Sequence, residues 1–170
     1  MERQIELLKK YGVKNYTIED KKIIIQQNLE LKYSSDVESD FLQGVTIVGD
    51  AYFYFQKQVD KDFLKGTTII KNLWVGSYIK FDKDFLSETT IGEDLWIMFL
   101  REVEKDFMQK TKIGRSLIME SLQKAHKDFL RGKTINGHLN LKGLEETEKG
   151  FLSETKVKKI LLLDPYRIIS

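Results

Sequence analysis

The sequence predicts an α/β solenoid built from one parallel β-sheet and short helical turns, and three observations predict it. A phenylalanine recurs every 22 residues, at Phe41, Phe63, Phe85, Phe107, Phe129 and Phe151. The same spacing carries isoleucine through Ile25, Ile47, Ile69, Ile91, Ile113 and Ile135, with Val157 following. The charged segments KDFLKG, KDFLSE and KDFLRG repeat between them. A fixed period of this length marks units that bury their apolar faces only by stacking on their neighbours.

Each unit is read in order. After the isoleucine, the position four residues on holds Leu29, Ala51, Leu73, Leu95, Leu117, Leu139 and Leu161, and two further on stand Leu31, Phe53, Val75, Ile97, Met119, Leu141 and Leu163. Even spacing of apolar residues predicts a strand with one buried face. Further inward positions follow at Tyr78, Leu100, Leu122 and Leu144, then at Val37, Val59, Phe81, Val103, Ala125 and Thr147. Asp40, Asp62, Asp84, Asp106 and Asp128 stand where each would cap one helical turn, with the following Phe and Leu or Met buried against the sheet. The organisation is one domain over 1–170: an N-terminal cap over 1–22, six repeats over 23–154, and a partial repeat with a C-terminal cap over 155–170. Ile5, Leu8 and Tyr11 lie at helical spacing and predict a capping helix, while the tail with Pro165 closes the other end.

Composition narrows function by exclusion. The formal net charge is +2, from 28 basic and 26 acidic residues, so bulk charge does not point to nucleic acid. Cysteine is absent, which removes disulfides, thiolate metal sites and a cysteine nucleophile. The first residues lack the apolar core of a secretion signal, and no apolar run approaches the roughly 20 residues that span a bilayer. A cytoplasmic protein without membrane contact is the expectation.

The repeat resembles the leucine-rich repeat, and most closely its BspA-like bacterial subclass, with Asp-Phe in place of Ala-Phe and Thr in place of the usual Cys. The segments TIGEDLWI and TINGHLNL are also similar to G-G-x-L-x-L repeats of small bacterial and phage proteins. The resemblance covers roughly residues 23–163. It implies a right-handed superhelix and protein recognition through the exposed face of the sheet.

One column is unusual. The outward strand position holds Glu30, Tyr52, Trp74, Trp96, Ile118, Asn140 and Leu162, and two residues on lie Tyr54, Gly76, Met98, Glu120 and Lys142. Strands about 4.8 Å apart would make Tyr52, Trp74, Trp96 and Ile118 one ladder, which contains both tryptophans of the chain. Phe55 and Phe99 extend it at the strand exit. Exposed Trp and Tyr mark a binding surface; cross-strand packing alone is the competing reading. Asp50, Asn72 and Asp94 stand one step upstream of the ladder column, with Ser116 and His138, as a polar rim or as plain solvated positions.

Other columns carry less. The lysines Lys61, Lys83, Lys105, Lys127 and Lys149 run beside acidic columns, and interleaved charge reads as a solvated face. His126 and His138 occupy different columns without metal-ligand spacing. No nucleophile elbow, phosphate loop or dinucleotide fingerprint is present, and no acid pair stands out as in a polysaccharide-cutting β-helix. The sequence thus points to a protein that is not an enzyme and has no cofactor or metal. Its expected partner is a protein, bound through Tyr52, Tyr54, Trp74, Trp96, Met98, Ile118, Asp50, Asn72 and Asp94. It would serve as an adaptor or stoichiometric inhibitor, with a phage-type inhibitor of a host defence system such as CRISPR-Cas as the sharpest form. The alternative is a carbohydrate-binding module that uses Trp74 and Trp96 as stacking platforms. Nucleic acid ranks third because single strands need a positive groove beside the aromatics. A homodimer through the sheet face or the solenoid end stays open.

Overall fold

The chain winds as a β-solenoid whose coils advance by about 22 residues, as the strand registers show: Ile47 pairs with Ile69, Ile69 with Ile91 and Ile91 with Ile113. The computed structural model describes residues 1–34, 37–55, 62–77, 84–105, 107–108, 110–162 and 167–169. The expectations for Val59, Lys61, Tyr78, Phe81, Lys83, Asp106, Leu163 and Pro165 lie outside the described residues.

Three sheets line the solenoid instead of the single sheet expected. The first is six-stranded, running from Tyr16–Glu19 through Lys22–Ile25, Thr46–Ile47, Thr68–Ile69 and Thr90–Ile91 to Lys112–Ile113. The second is seven-stranded, from Leu29–Ser34 through Ala51–Phe55, Leu73–Ser77, Leu95–Met98, Leu117–Ile118 and Thr134–Leu141 to Lys156–Leu162. The third is four-stranded: Glu102–Val103, Lys124–Ala125, Glu146–Glu148 and Arg167–Ile169. The physical reason is a corner. Ile47 and Ala51 are both fully buried and four apart, which alternation reads as one strand, but the chain bends between them and each belongs to a different sheet.

The expected short helices are also replaced. Phe and Leu in the repeated segment are consecutive and both buried, as at Phe63–Leu64 and Phe85–Leu86. A strand would send one of the two outward. The backbone solves this with successive turns of the i→i+3 kind: Lys65 N–H donates to the Asp62 carbonyl and Thr67 N–H to that of Leu64, and Ser87 and Thr89 repeat this with Asp84 and Leu86. The aspartates of these segments thus open turns through their carbonyls. A helix begun here would fix several residues for its first bond. Among the described residues the chain has one helix, Glu2–Lys10, so the architecture is mostly β.

That helix closes the N-terminal end, as its spacing predicts. Leu7 and Leu8 are buried against the core, and the Tyr11 ring sits 4.5 Å from that of Phe41, the first of the phenylalanine column. Gln4 Nε2 donates to the carbonyls of Asp40 and Gln43, pinning the helix to the first turn. A hairpin follows: Tyr16–Glu19 pairs antiparallel with Lys22–Ile25 across Asp20 and Lys21, both with positive φ.

The interior is a stack of identical columns. Phe63 and Phe85 lie 6.2 Å apart and 10° from parallel, and Phe129 and Phe151 repeat the relation at 5.7 Å and 13°. Burial of each such ring is worth roughly 1.5–3 kcal/mol relative to exposure. No described helix is long and apolar enough to cross a membrane.

Candidate functional site

The second sheet positions the aromatic ladder. Parallel pairing brings Tyr52 opposite Trp74 and Trp74 opposite Trp96, with Ile118 next and Asn140 after it. Each residue lies between two buried neighbours: Ala51 and Phe53 flank Tyr52, Leu73 and Val75 flank Trp74, and Leu95 and Ile97 flank Trp96. Alternation therefore turns all three rings outward, where they are half-buried.

The rings stack on each other. Tyr52 and Trp74 are 4.6 Å apart at 11°, and Trp74 and Trp96 are 6.2 Å apart at 15°. Near-parallel stacking at these distances is favourable by about 0.5–1.5 kcal/mol per pair beyond area burial. Trp74 thus lies between the rings of Tyr52 and Trp96. Partial burial, with Asp50, Tyr54 and Glu30 nearby, holds the Tyr52 phenol above its ordinary pKa. Ile118 and Asn140 are each only 8% exposed, so the ladder is open at its first three rungs and closed beyond them. The Asn140 side chain donates to Glu120 at 2.6 Å.

A second row runs beside the first. Tyr54 pairs with Gly76 and Gly76 with Met98, and Tyr54 and Met98 are half-buried. A side chain at Gly76 would crowd its neighbours: a Cβ there would stand 3.0 Å from Tyr54 Cδ1 and 3.5 Å from Phe99 Cδ2. The missing side chain lets Tyr54 and Phe99 approach over the strand. Phe99 is 42% exposed and held at φ 67°, a left-handed conformation that disfavours residues with a Cβ. Phe55 does not extend the patch. It is 2% exposed and packs edge-on against Phe63 in the core, because strand alternation from Tyr54 turns it inward.

The polar column upstream has a definite task within the fold. Asp50 N–H donates to Asn28 Oδ1, Asn72 N–H to Asp50 Oδ1, Asp94 N–H to Asn72 Oδ1, and Ser116 N–H to Asp94 Oδ1, at 2.9–3.2 Å. His138 N–H closes the series on Ser116 Oγ. Each side chain thus satisfies a backbone donor of the next coil at the corner between the first and second sheets. Asp94 has a second role: Arg115 grips it with two hydrogen bonds of 2.8 and 2.6 Å, which hold its carboxyl below the usual carboxylate range. Arg115 lies 21 residues after Asp94, one short of the repeat, so column-wise reading separates the two. The ladder column also ends differently from its sequence spacing. An irregularity between Ile135 and His138 sets Asn140 opposite Leu161, so Leu162 is displaced from the column.

The two histidines stay apart. His126 faces Glu148 at 3.6 Å and Asp128 at 3.9 Å on the third side, while His138 is exposed on the second. Among the described residues no three metal-ligating side chains come together. Lys127 lies 3.8 Å from Glu148, so this lysine has an acidic neighbour as its column spacing implies. The chain matches no protein-family model, no curated protein and no solved structure.

Proposed function

We propose that this solenoid is a non-enzymatic protein-binding module that engages a partner protein through the two aromatic rows of its second sheet. The observation that carries the reading is the stacked run Tyr52–Trp74–Trp96, half-exposed on a rigid parallel sheet and widened by Tyr54, Met98 and Phe99. Aromatic rings already fixed by stacking lose little freedom on docking, and Trp and Tyr in such patches dominate binding energy. Ile118 bounds the contact, and Asp50, Asn72 and Asp94 border it at the corner, where they bond backbone N–H groups of the next coil.

The ring arrangement favours protein over sugar. A carbohydrate platform offers a free ring face, whereas Trp74 lies between Tyr52 and Trp96. Edges and indole N–H groups suit a protein surface with apolar side chains and carbonyl acceptors. Nucleic acid ranks third: Asp50 stands beside the ladder, and the cations Lys32 and Arg115 nearby are paired with Glu30 and Asp94. A solenoid that binds through one sheet face fits an adaptor or a stoichiometric inhibitor. A phage-type inhibitor of a host defence enzyme is its sharpest form, resting on the repeat resemblance, although three strand-lined sides depart from a leucine-rich repeat with a helical outer side.

The test is the double variant Trp74→Ala with Trp96→Ala in pull-downs from the native host, beside a glycan array. The expected outcome is loss of a captured protein with the β-type circular dichroism spectrum intact. Glycan hits without a protein partner would promote the carbohydrate reading. A self-dimer broken by the same substitutions would assign the face to a second copy of the chain.

A further inference from the structure

A column of threonines, buried at Thr67, Thr89 and Thr111, stitches the turns of successive coils, and one coil breaks it. Thr67, Thr89, Thr111 and Thr155 donate their hydroxyls to the carbonyls of Leu42, Leu64, Leu86 and Leu130, each 25 residues earlier. The position between Thr111 and Thr155 in this column is Lys133. Its side chain is half-buried, and its Nζ donates to the Thr111 carbonyl at 2.7 Å. A cleft of about 300 Å³ opens beside it, lined by Thr111, Lys112, Ile113, Gly132, Thr134 and Ile135 as well as Lys133 itself. A lysine where the pattern requires a short neutral hydroxyl is a local departure from the repeat, and such departures are expected where a site has a task of its own.

We propose that Lys133 is a covalent modification site, a nucleophilic ε-amine that small activated acyl compounds, thioesters or acyl phosphates, acylate within this cleft.

Three features support this reading. Among the described residues that line the cleft none is acidic, and the other charged side chain there is a cation, Lys112. Burial pushes the Lys133 ammonium down to about 8, so about a tenth of it is neutral amine at pH 7. A lysine desolvated in this way is an activated nucleophile, whereas exposed lysines stay protonated. The cleft also has room for an acyl group.

The step balances without a redox partner. The ammonium gives its proton to solvent, and the amine lone pair attacks the acyl carbon. The bond from that carbon to sulfur or phosphate oxygen breaks, the thiolate or phosphate leaves with the electron pair, and the nitrogen gives its second proton to the leaving group or to solvent. The product is a neutral amide that keeps one N–H for the Thr111 carbonyl. It removes a charge from a column that is otherwise uncharged at Val45, Thr67, Thr89, Thr111 and Thr155.

The experiment exposes the folded full-length chain to acetyl phosphate at pH 7.5 and follows each lysine by mass spectrometry. Lys133 is expected to acetylate about tenfold or more faster than Lys112 and Lys156, with the preference lost in urea. A Lys133 rate at or below those two overturns the proposal. So does a preference that survives in urea, because local sequence would then explain it. The acetylated protein is expected to keep its circular dichroism spectrum, and unfolding on modification would also overturn the assignment. Lys133→Thr, which restores the column, is expected to fold and to leave the Lys112 rate unchanged. A rise in the Lys112 rate in that variant would mean that the cleft, and not Lys133, sets reactivity.

Discussion

Thr89 Oγ1 donates to the carbonyl of Leu64 at 2.8 Å, joining two turns that lie 25 residues apart in the chain. Thr89 is fully buried, and the same contact is made from Thr67, Thr111 and Thr155. Four coils are therefore fastened to an earlier one by a threonine side chain as well as by strand pairing. The Leu64 carbonyl also accepts from Thr67 N–H, so removing the hydroxyl leaves that carbonyl one partner. The first coil carries Val45 in this column, 1% exposed, which shows that the methyl shape is tolerated. Thr89→Val is accordingly expected to destabilise by about 1 kcal/mol, read as a fall in melting temperature of about 2–4 °C. An unchanged melting temperature would show the bond to be incidental.

The phenylalanine column carries more. Phe85 is 1% exposed, stacked on Phe63 and edge-on to Phe55. Phe85→Ala removes a ring with neighbours on both sides and should cost about 3–5 kcal/mol. Because neighbouring coils share stability, the loss is expected to unfold more of the chain than Phe151→Ala at the half-buried end of the column. Hydrogen exchange checks this: protection should fall on both sides of coil 85 and only locally for Phe151→Ala.

Much of this was legible from the 22-residue period. Phe63, Phe85 and the outward placement of Tyr52, Trp74 and Trp96 follow from spacing and alternation alone, since stacking forces like residues into one column. The corners were not legible. Ile47 and Ala51 keep an even spacing across a bend, so the strand pattern runs through a place where the chain changes sheet. The third sheet was hidden because its strands are only two or three residues long, as in Glu102–Val103 and Glu146–Glu148, which is too short to show alternation. Asp50, Asn72 and Asp94 look like a solvated rim in sequence; their bonds to backbone N–H groups of the next coil appear only once the register is known. Lys133 was visible as an interruption of the threonine column, but its burial was not.

The N-terminal cap should loosen in acid. Lys10 Nζ donates to Glu38 at 2.6 Å, and the Tyr11 hydroxyl donates to the other oxygen. The hydrogen bond from Lys10, then that from Tyr11, lowers the Glu38 pKa from 4.5 to about 2. A carboxyl whose folded pKa is depressed stabilises the fold above its unfolded value and loses that contribution as pH falls through the folded value. The cap is therefore expected to keep its full contribution above about pH 4.5 and lose it between there and about pH 2. Denaturant melts across this window should show less slope for Glu38→Gln than for the parent. Equal slopes would mean that other carboxyls set the acid response.

Two left-handed residues separate structural strain from strain tied to binding. Glu88 has φ 60° in the column that elsewhere holds Gly44, Gly66 and Gly132, with φ 67–71°. Phe99 has φ 67° with its ring exposed beside Gly76. A left-handed residue with a Cβ costs roughly 1–2 kcal/mol, partly offset on change to glycine by the greater freedom of the unfolded chain. Glu88→Gly is expected to raise stability by up to about 1 kcal/mol and to leave partner capture unchanged. Phe99→Gly relieves the same strain but removes an aromatic from the ladder's edge. It is expected to hold or raise the melting temperature while weakening partner capture several-fold, since strained residues persist where the strain serves a site. Capture unaffected by Phe99→Gly, alongside loss on Trp74→Ala, would confine the contact to the first aromatic row. A fall in stability for both glycine variants would show that the left-handed turns are held by their side-chain contacts and that no strain is stored there.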